Sequence, residues 1–280
     1  MNDLATLLLS LMLAHGSAGK SVFSAEPIPA CGKSGAAPTC ELRPVCAEPT
    51  PLCAAPRWSD VRNAWVRAET REAAASRLGV AAVALADAAT FLTRCTVDGV
   101  PVERCKPVTW PEGTVDFAKA TLTVAVWESG LREDIMGGHP PKGRGAAGEA
   151  CVMQVMPNVI RSVAPWLPAY ELAKTKDEQL ALMLVGTDGA SLRRCFETGG
   201  RLLARMRKVA QHECKQRWSY SLWARYGTAG RCDTVGIFDD FAAKREKTYL
   251  NFRKKTSPQW PEWFTPELRV ALAGGAGGAS

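Results

Sequence analysis

One stretch limits the folds open to this chain more than any other. Residues 114–127 place Val115, Phe117, Ala118, Leu122, Val124, Ala125, Val126 and Trp127 on nearly every face of a helix. A helix apolar all round has to be buried, so other elements must surround it. Gly130 supplies a stop just past its end. The last turn carries a carboxylate, Glu128. Burial disfavours its charged form, and the negative end of the helix macrodipole does the same. A carboxyl kept protonated near neutral pH suits a general acid.

The elements that would surround this helix also read as helical. Ser59 and Asp60 can cap an amphipathic stretch over 59–78 with Trp65, Val66, Ala73 and Leu78 on one side. Gly79 breaks it, and the Ala-rich residues 80–94 form a second helix. A short apolar helix is expected over 177–185. Asp188 or Ser191 then caps a long one to about Glu213, with Leu192, Cys195, Leu202, Leu203, Met206 and Val209 inward and its arginines on a solvated face. Further helices fit 218–226 and 237–252. No repeat and no strand series is visible. The fold class expected is therefore all-α, with a Pro/Cys-rich N-terminal extension.

The boundaries follow from composition. Residues 4–14 are an apolar run too short to cross a membrane comfortably, and Gly16, Ser17 and Ala18 fit a small-residue cleavage site. Residues 1–18 are expected to be a secretory signal, although Asp3 stands where a basic residue is usual. Residues 19–57, with seven prolines among them, are expected to be a linker. Residues 58–255 form the domain. Residues 256–280 form a tail in which Trp260, Trp263 and Phe264 pack back and the glycines from Gly274 onward hold no structure. No other segment is expected to span a membrane.

Composition bounds the chemistry. The 280 residues carry 46% hydrophobic side chains, enough for one sizeable core. The net charge of +7 suits an acidic partner. No basic block with interleaved aromatics points to nucleic acid. Ten cysteines and three histidines lack the tight pairing of a zinc site, so no metal and no cofactor is expected. An even cysteine count in loop-like contexts points to disulfides and an oxidising compartment. Asp98-Gly99 is a turn signal between Cys95 and Cys105, which makes that pair a small closed loop. Gly143, Gly145 and Gly148 match a dinucleotide fingerprint by letter only, because Pro-Pro-Lys and not a buried strand precedes them.

Three blocks follow one another: Glu128-Ser129-Gly130, then Cys151-Val152-Met153-Gln154-Val155-Met156-Pro157, then Trp223-Ala224-Arg225-Tyr226-Gly227-Thr228-Ala229-Gly230. In order and spacing, over roughly residues 110–232, they resemble the lytic transglycosylases of the goose-type lysozyme-like superfamily. The resemblance implies a lysozyme-like helical domain. It implies cleavage of the β-1,4 bond between MurNAc and GlcNAc in peptidoglycan by one glutamate, leaving 1,6-anhydro-MurNAc ends. Glu128 would be the acid and base. Ser129, Met153, Gln154 and Tyr226 would line the glycan cleft, with the loop 137–150 as one wall. Two positions depart from the usual pattern: Gly227 replaces the common Asn after the tyrosine, and Cys151 stands where Gly is commoner. Members with a cysteine there suggest that Cys151 pairs with Cys195 and Cys214 with Cys232, other pairings remaining open. The implied protein is a periplasmic or secreted monomer acting on glycan strands. A lysozyme-type muramidase, with a loop carboxylate such as Glu133, Asp134 or Glu149 completing the site, and a non-catalytic wall-binding or assembly protein are the competing readings.

Overall fold

In a computed structural model, the described residues are 1–17, 23–27, 57–59, 64–69, 71–137, 148–167, 176–214, 222–223, 226 and 237–275. They are mainly helical. The stretch that opened the sequence reading is α3 (Thr114–Ser129), and it sits at the centre. It packs against α1 (Asp3–Ser17), α2 (Arg71–Arg94), α7 (Gly189–Cys214) and α8 (Ile237–Lys254). Between α3 and α7 lie three short helices: α4 (Glu133–Met136), α5 (Pro157–Val163) and α6 (Asp177–Leu182). From Phe117 to Val126 every residue of α3 is buried, including Lys119, Thr121 and Thr123. The two threonines return their hydroxyl protons to the carbonyls of Phe117 and Lys119, four residues back. Val115, expected inside, is 45% exposed.

α7 crosses α2 and α3 at Gly200. A Cβ on Gly200 would stand 3.1 Å from Leu92 and 3.2 Å from Phe117. Its start is set by Asp188, whose Oδ1 accepts the Ser191 N–H at 2.9 Å, the expected cap. One arginine expected outward on α7, Arg207, is buried.

Three segments differ from the sequence reading. No helix begins at Ser59: β2 (Arg57–Ser59) and β3 (Ala64–Ala68) pair with β1 (Phe23–Pro27) in an antiparallel sheet of order β1-β3-β2, with Trp58 opposite Trp65. Part of the expected linker is thus a strand, and β1 lies against α4. Next, α2 runs through Gly79 unbroken. It is long and apolar enough by composition to cross a membrane, which the sequence reading denied to every segment after residue 14, and it is mostly buried here. Finally, the tail forms α9 (Pro266–Gly275) behind the stacked rings of Trp260 and Phe264, 4.8 Å apart.

The run read as a secretory signal is α1, and it belongs to the core: Ala5, Leu8 and Leu9 are fully buried and Met12 nearly so. Its Ala18 cleavage position, the linker cysteines 31, 40, 46 and 53, and Asn-replacing Gly227 lie outside the described residues.

Among the described residues two disulfides have both of their cysteines, Cys95–Cys105 and Cys151–Cys195. The first closes a hairpin of β4 (Thr96–Val97) and β5 (Val100–Pro101), and the φ angles of Asp98 (50°) and Gly99 (79°) are both positive, as a tight hairpin turn requires. Cys214 is also disulfide-bonded, and its expected partner Cys232 lies outside the described residues.

Candidate active site

Glu128 occupies the last turn of α3. Gly130 ends the helix in the left-handed region (φ 64°), and its N–H returns to the Val126 carbonyl at 2.9 Å. The chain must then turn away sharply, and Leu131 takes a positive φ of 54° to do so. Two polar groups hold that turn. Ser129, 4% exposed, donates its hydroxyl proton to the Ala125 carbonyl (2.8 Å) and accepts the Leu131 N–H (3.1 Å). Buried Arg77 of α2 donates to the Leu131 carbonyl at 2.9 Å and is itself anchored on Glu69 at 2.6 Å. Ser129, expected to line a cleft, therefore has its hydroxyl engaged in ending the helix.

The Glu128 side chain is 15% exposed, and it lies against α8. Helices α3 and α8 run antiparallel and are tied at four points. Asp116 pairs with Arg253 at 2.9 Å. The Lys119 ammonium caps α8 by donating to the Arg253 and Lys255 carbonyls. The Trp127 indole N–H donates to Thr248 at 3.0 Å. Arg245 donates from Nη2 to Glu128 Oε1 at 2.5 Å, and from Nη1 to the Trp223 carbonyl at 2.8 Å.

Burial raises the Glu128 pKa above the ordinary carboxylate value, the Arg245 cation and its hydrogen bond oppose that, and the charge of Glu149 adds to the rise. Burial wins. A carboxyl in this position gains a proton more readily than one in water and still has a cation beside it to steady the anion left after proton transfer.

The second block forms a tight loop on the other side. Ala150 and Val155 exchange both backbone hydrogen bonds at 2.9 Å, and residues 151–154 make the turn between them. Cys151 (φ 59°) and Gln154 (φ 48°) take left-handed conformations, and the Cys151–Cys195 bond fastens the loop to α7. Met153 is fully buried and packs on Gly199, where an added Cβ would come within 2.6 Å of it. It supports the loop from inside. Gln154 is half-buried, and its amide donates to the Cys151 carbonyl at 2.7 Å.

Tyr226 joins the blocks. It is 8% exposed and donates its hydroxyl proton to the Met153 carbonyl at 3.0 Å. Burial pushes its pKa well up, the nearby Glu128 charge pushes it further, and Arg245 opposes both. It stays a neutral donor at any ordinary pH. Glu128, Tyr226 and Met153 are thus brought together, and Gln154 sits beside them on the same loop. The loop 138–147 and the residues around Tyr226 lie outside the described residues.

Arg245 and Arg77 went unread in the sequence. Arg77 shares its helix with Arg71 and Arg94, Arg245 shares its own with four other cations, and nothing local marks the one that turns inward. Among the described residues no group of three His, Cys, Asp or Glu side chains is placed to hold a metal ion. Compared with family models, with characterised proteins and with solved structures, the chain gives no significant match.

Proposed function

We propose that this chain is a peptidoglycan lytic transglycosylase on a lysozyme-like helical domain, with Glu128 as its one catalytic acid and base. The observation that carries the reading is a buried carboxyl at the tip of the core helix, its pKa raised by burial, next to Tyr226. Glu128 protonates the glycosidic oxygen between MurNAc and GlcNAc as the C1–O4 bond breaks. The sugar's own C6 hydroxyl then attacks C1 and gives its proton back to Glu128. The products are a 1,6-anhydro ring and a free 4-hydroxyl, with no water consumed. Proximity of the internal nucleophile supplies part of the rate. Arg245 steadies the Glu128 anion between the two proton transfers, and Tyr226 holds the loop carrying Gln154 against the site. Disulfides agree with an oxidising compartment, and the reading places the protein in the periplasm or outside the cell, acting as a monomer on glycan strands without a cofactor.

A muramidase on the same site is the second reading. What favours it is Glu149, whose charge already acts on Glu128. A second carboxylate there would activate water or stabilise the oxocarbenium ion. The test is mass analysis of fragments released from purified sacculi. Anhydro ends, one water lighter than reducing ends, are expected from the wild type and none from Glu128→Gln. Reducing ends that vanish in Glu149→Gln would establish the muramidase. Sacculus binding with no release by the wild type would leave only a wall-binding protein.

A further inference from the structure

Charge collects on α7 well away from Glu128. Arg201, Arg205 and Lys208 follow at spacings of four and three residues and share one helix face. They line a groove of about 290 Å3, together with Arg207, across from residues 107–109 and from Ser162 at the end of α5. The groove lies by the start of α3, whereas Glu128 closes its last turn, about 20 Å along the helix at 1.5 Å per residue.

Of the four cations in this groove, three arginines are held in place and only one is balanced. Glu112 neutralises Arg207 through a two-pronged pair at 2.8 and 3.0 Å, and the Arg207 guanidinium lies 4.1 Å from the Trp110 ring. The other three have no acidic partner among the described residues, and no carboxylate lines the groove. Arg201 lies 5.0 Å over the Trp166 ring with Nη2 at 3.6 Å from both sulfurs of the Cys95–Cys105 bond, so its fork is fixed before any ligand arrives. Burial pulls its pKa below the usual arginine value, as expected of a cation partly stripped of water with nothing to offset it. Arg205 donates to the Ser162 hydroxyl at 3.3 Å.

We propose that this groove between α7, the 107–109 segment and α5 binds a phosphate group, borne by a small phosphorylated molecule or by a phospholipid headgroup. Three unbalanced cations spread over about 10 Å call for more than the single charge of a carboxylate. A phosphate monoester brings about −1.5 to −2 at neutral pH and three acceptor oxygens. Guanidinium forks match such oxygens two at a time, and an ammonium adds a point charge. Ser162, its own proton donated to the Val159 carbonyl at 2.8 Å, accepts from Arg205 and so orients that guanidinium along the groove. This assignment is independent of the chemistry at Glu128.

The experiment uses the full chain. Inorganic phosphate and glycerol 3-phosphate are titrated calorimetrically, with acetate at matched ionic strength as the comparison. In parallel, flotation is measured with phosphatidylcholine vesicles with and without phosphatidic acid. The double variant Arg205→Gln/Lys208→Gln changes two exposed side chains, and its unfolding midpoint is checked against the wild type. Binding of either phosphate source that weakens at least tenfold in the double variant supports the site. Capture by phosphatidic acid vesicles exceeding that of the soluble phosphates assigns it to a headgroup, and the reverse order to a small molecule. Binding that the double variant retains in full, acetate binding as tight as phosphate, or no binding of either source would overturn it.

Discussion

Arg245 subjects Glu128 to a pull opposite to that of its surroundings: burial favours the protonated acid, and the guanidinium favours the anion. The consequence for rate has a definite sign. Activity through Glu128 as acid falls as pH rises through its pKa. Taking away the Arg245 charge leaves burial and Glu149 acting alone, so the pKa climbs further. In Arg245→Gln the alkaline limb of the pH–rate profile for fragment release should therefore move to higher pH, and in Arg245→Lys it should move less. A limb that stays put in both variants would mean that the 2.5 Å contact does not govern proton transfer. Gly199 permits a test of packing at the same scale. A Cβ there would stand 2.6 Å from Met153, so Gly199→Ala should lower stability by about 1–3 kcal/mol in urea unfolding.

At the scale of elements, the loop 150–155 owes its shape to two attachments, the Cys151–Cys195 bond and the Tyr226 hydroxyl on the Met153 carbonyl. Replacing both cysteines by serine should cost about 2–4 kcal/mol of stability. It should also reduce glycan cleavage more than the same change at Cys95 and Cys105, which close a hairpin at the far end of α3. Calorimetry and the fragment assay on both double variants check this.

How much of these elements could be read beforehand depends on how local their causes are. Helix α3 is visible because its apolar run is continuous, and α7 because Asp188 caps a strongly amphipathic stretch. The Asp98-Gly99 turn is a two-residue signal. The strand Ala64–Ala68 is not visible: its pairing partners include Phe23–Pro27, some forty residues earlier, and a window around Trp65 and Val66 cannot see them. Gly79 looked like a break because it weakens an isolated helix by about 1 kcal/mol. In α2 the packing of α1 and α7 outweighs that. Arg245 is the same problem in the site itself. Its partner stands 117 residues away, and the basic pattern of α8 reads as solvated.

Across the whole molecule, the sharpest question is the role of α1. As a signal it would leave the chain; as found, it covers apolar faces of α2 and α3. Burying a leucine contributes about 1.5–3 kcal/mol. The five buried leucines of α1, Leu7, Leu8, Leu9, Leu11 and Leu13, therefore rival the 5–15 kcal/mol of a typical domain. A chain beginning at residue 18 should melt at a markedly lower temperature than the full chain and bind a hydrophobic dye. Equal melting temperatures would show that α1 is a leader without weight in the mature fold.

The separation between Glu128 and Arg245 also bears on how the protein is made. A ribosome delivers α3 long before α8, and the guanidinium that balances the acid emerges 117 residues after it. A chain halted before α8 would present a naked carboxyl and an uncovered flank of α3 to whatever it meets. A balanced site is thus tied to synthesis of α8, and products that stop short of it should be inert and prone to clumping.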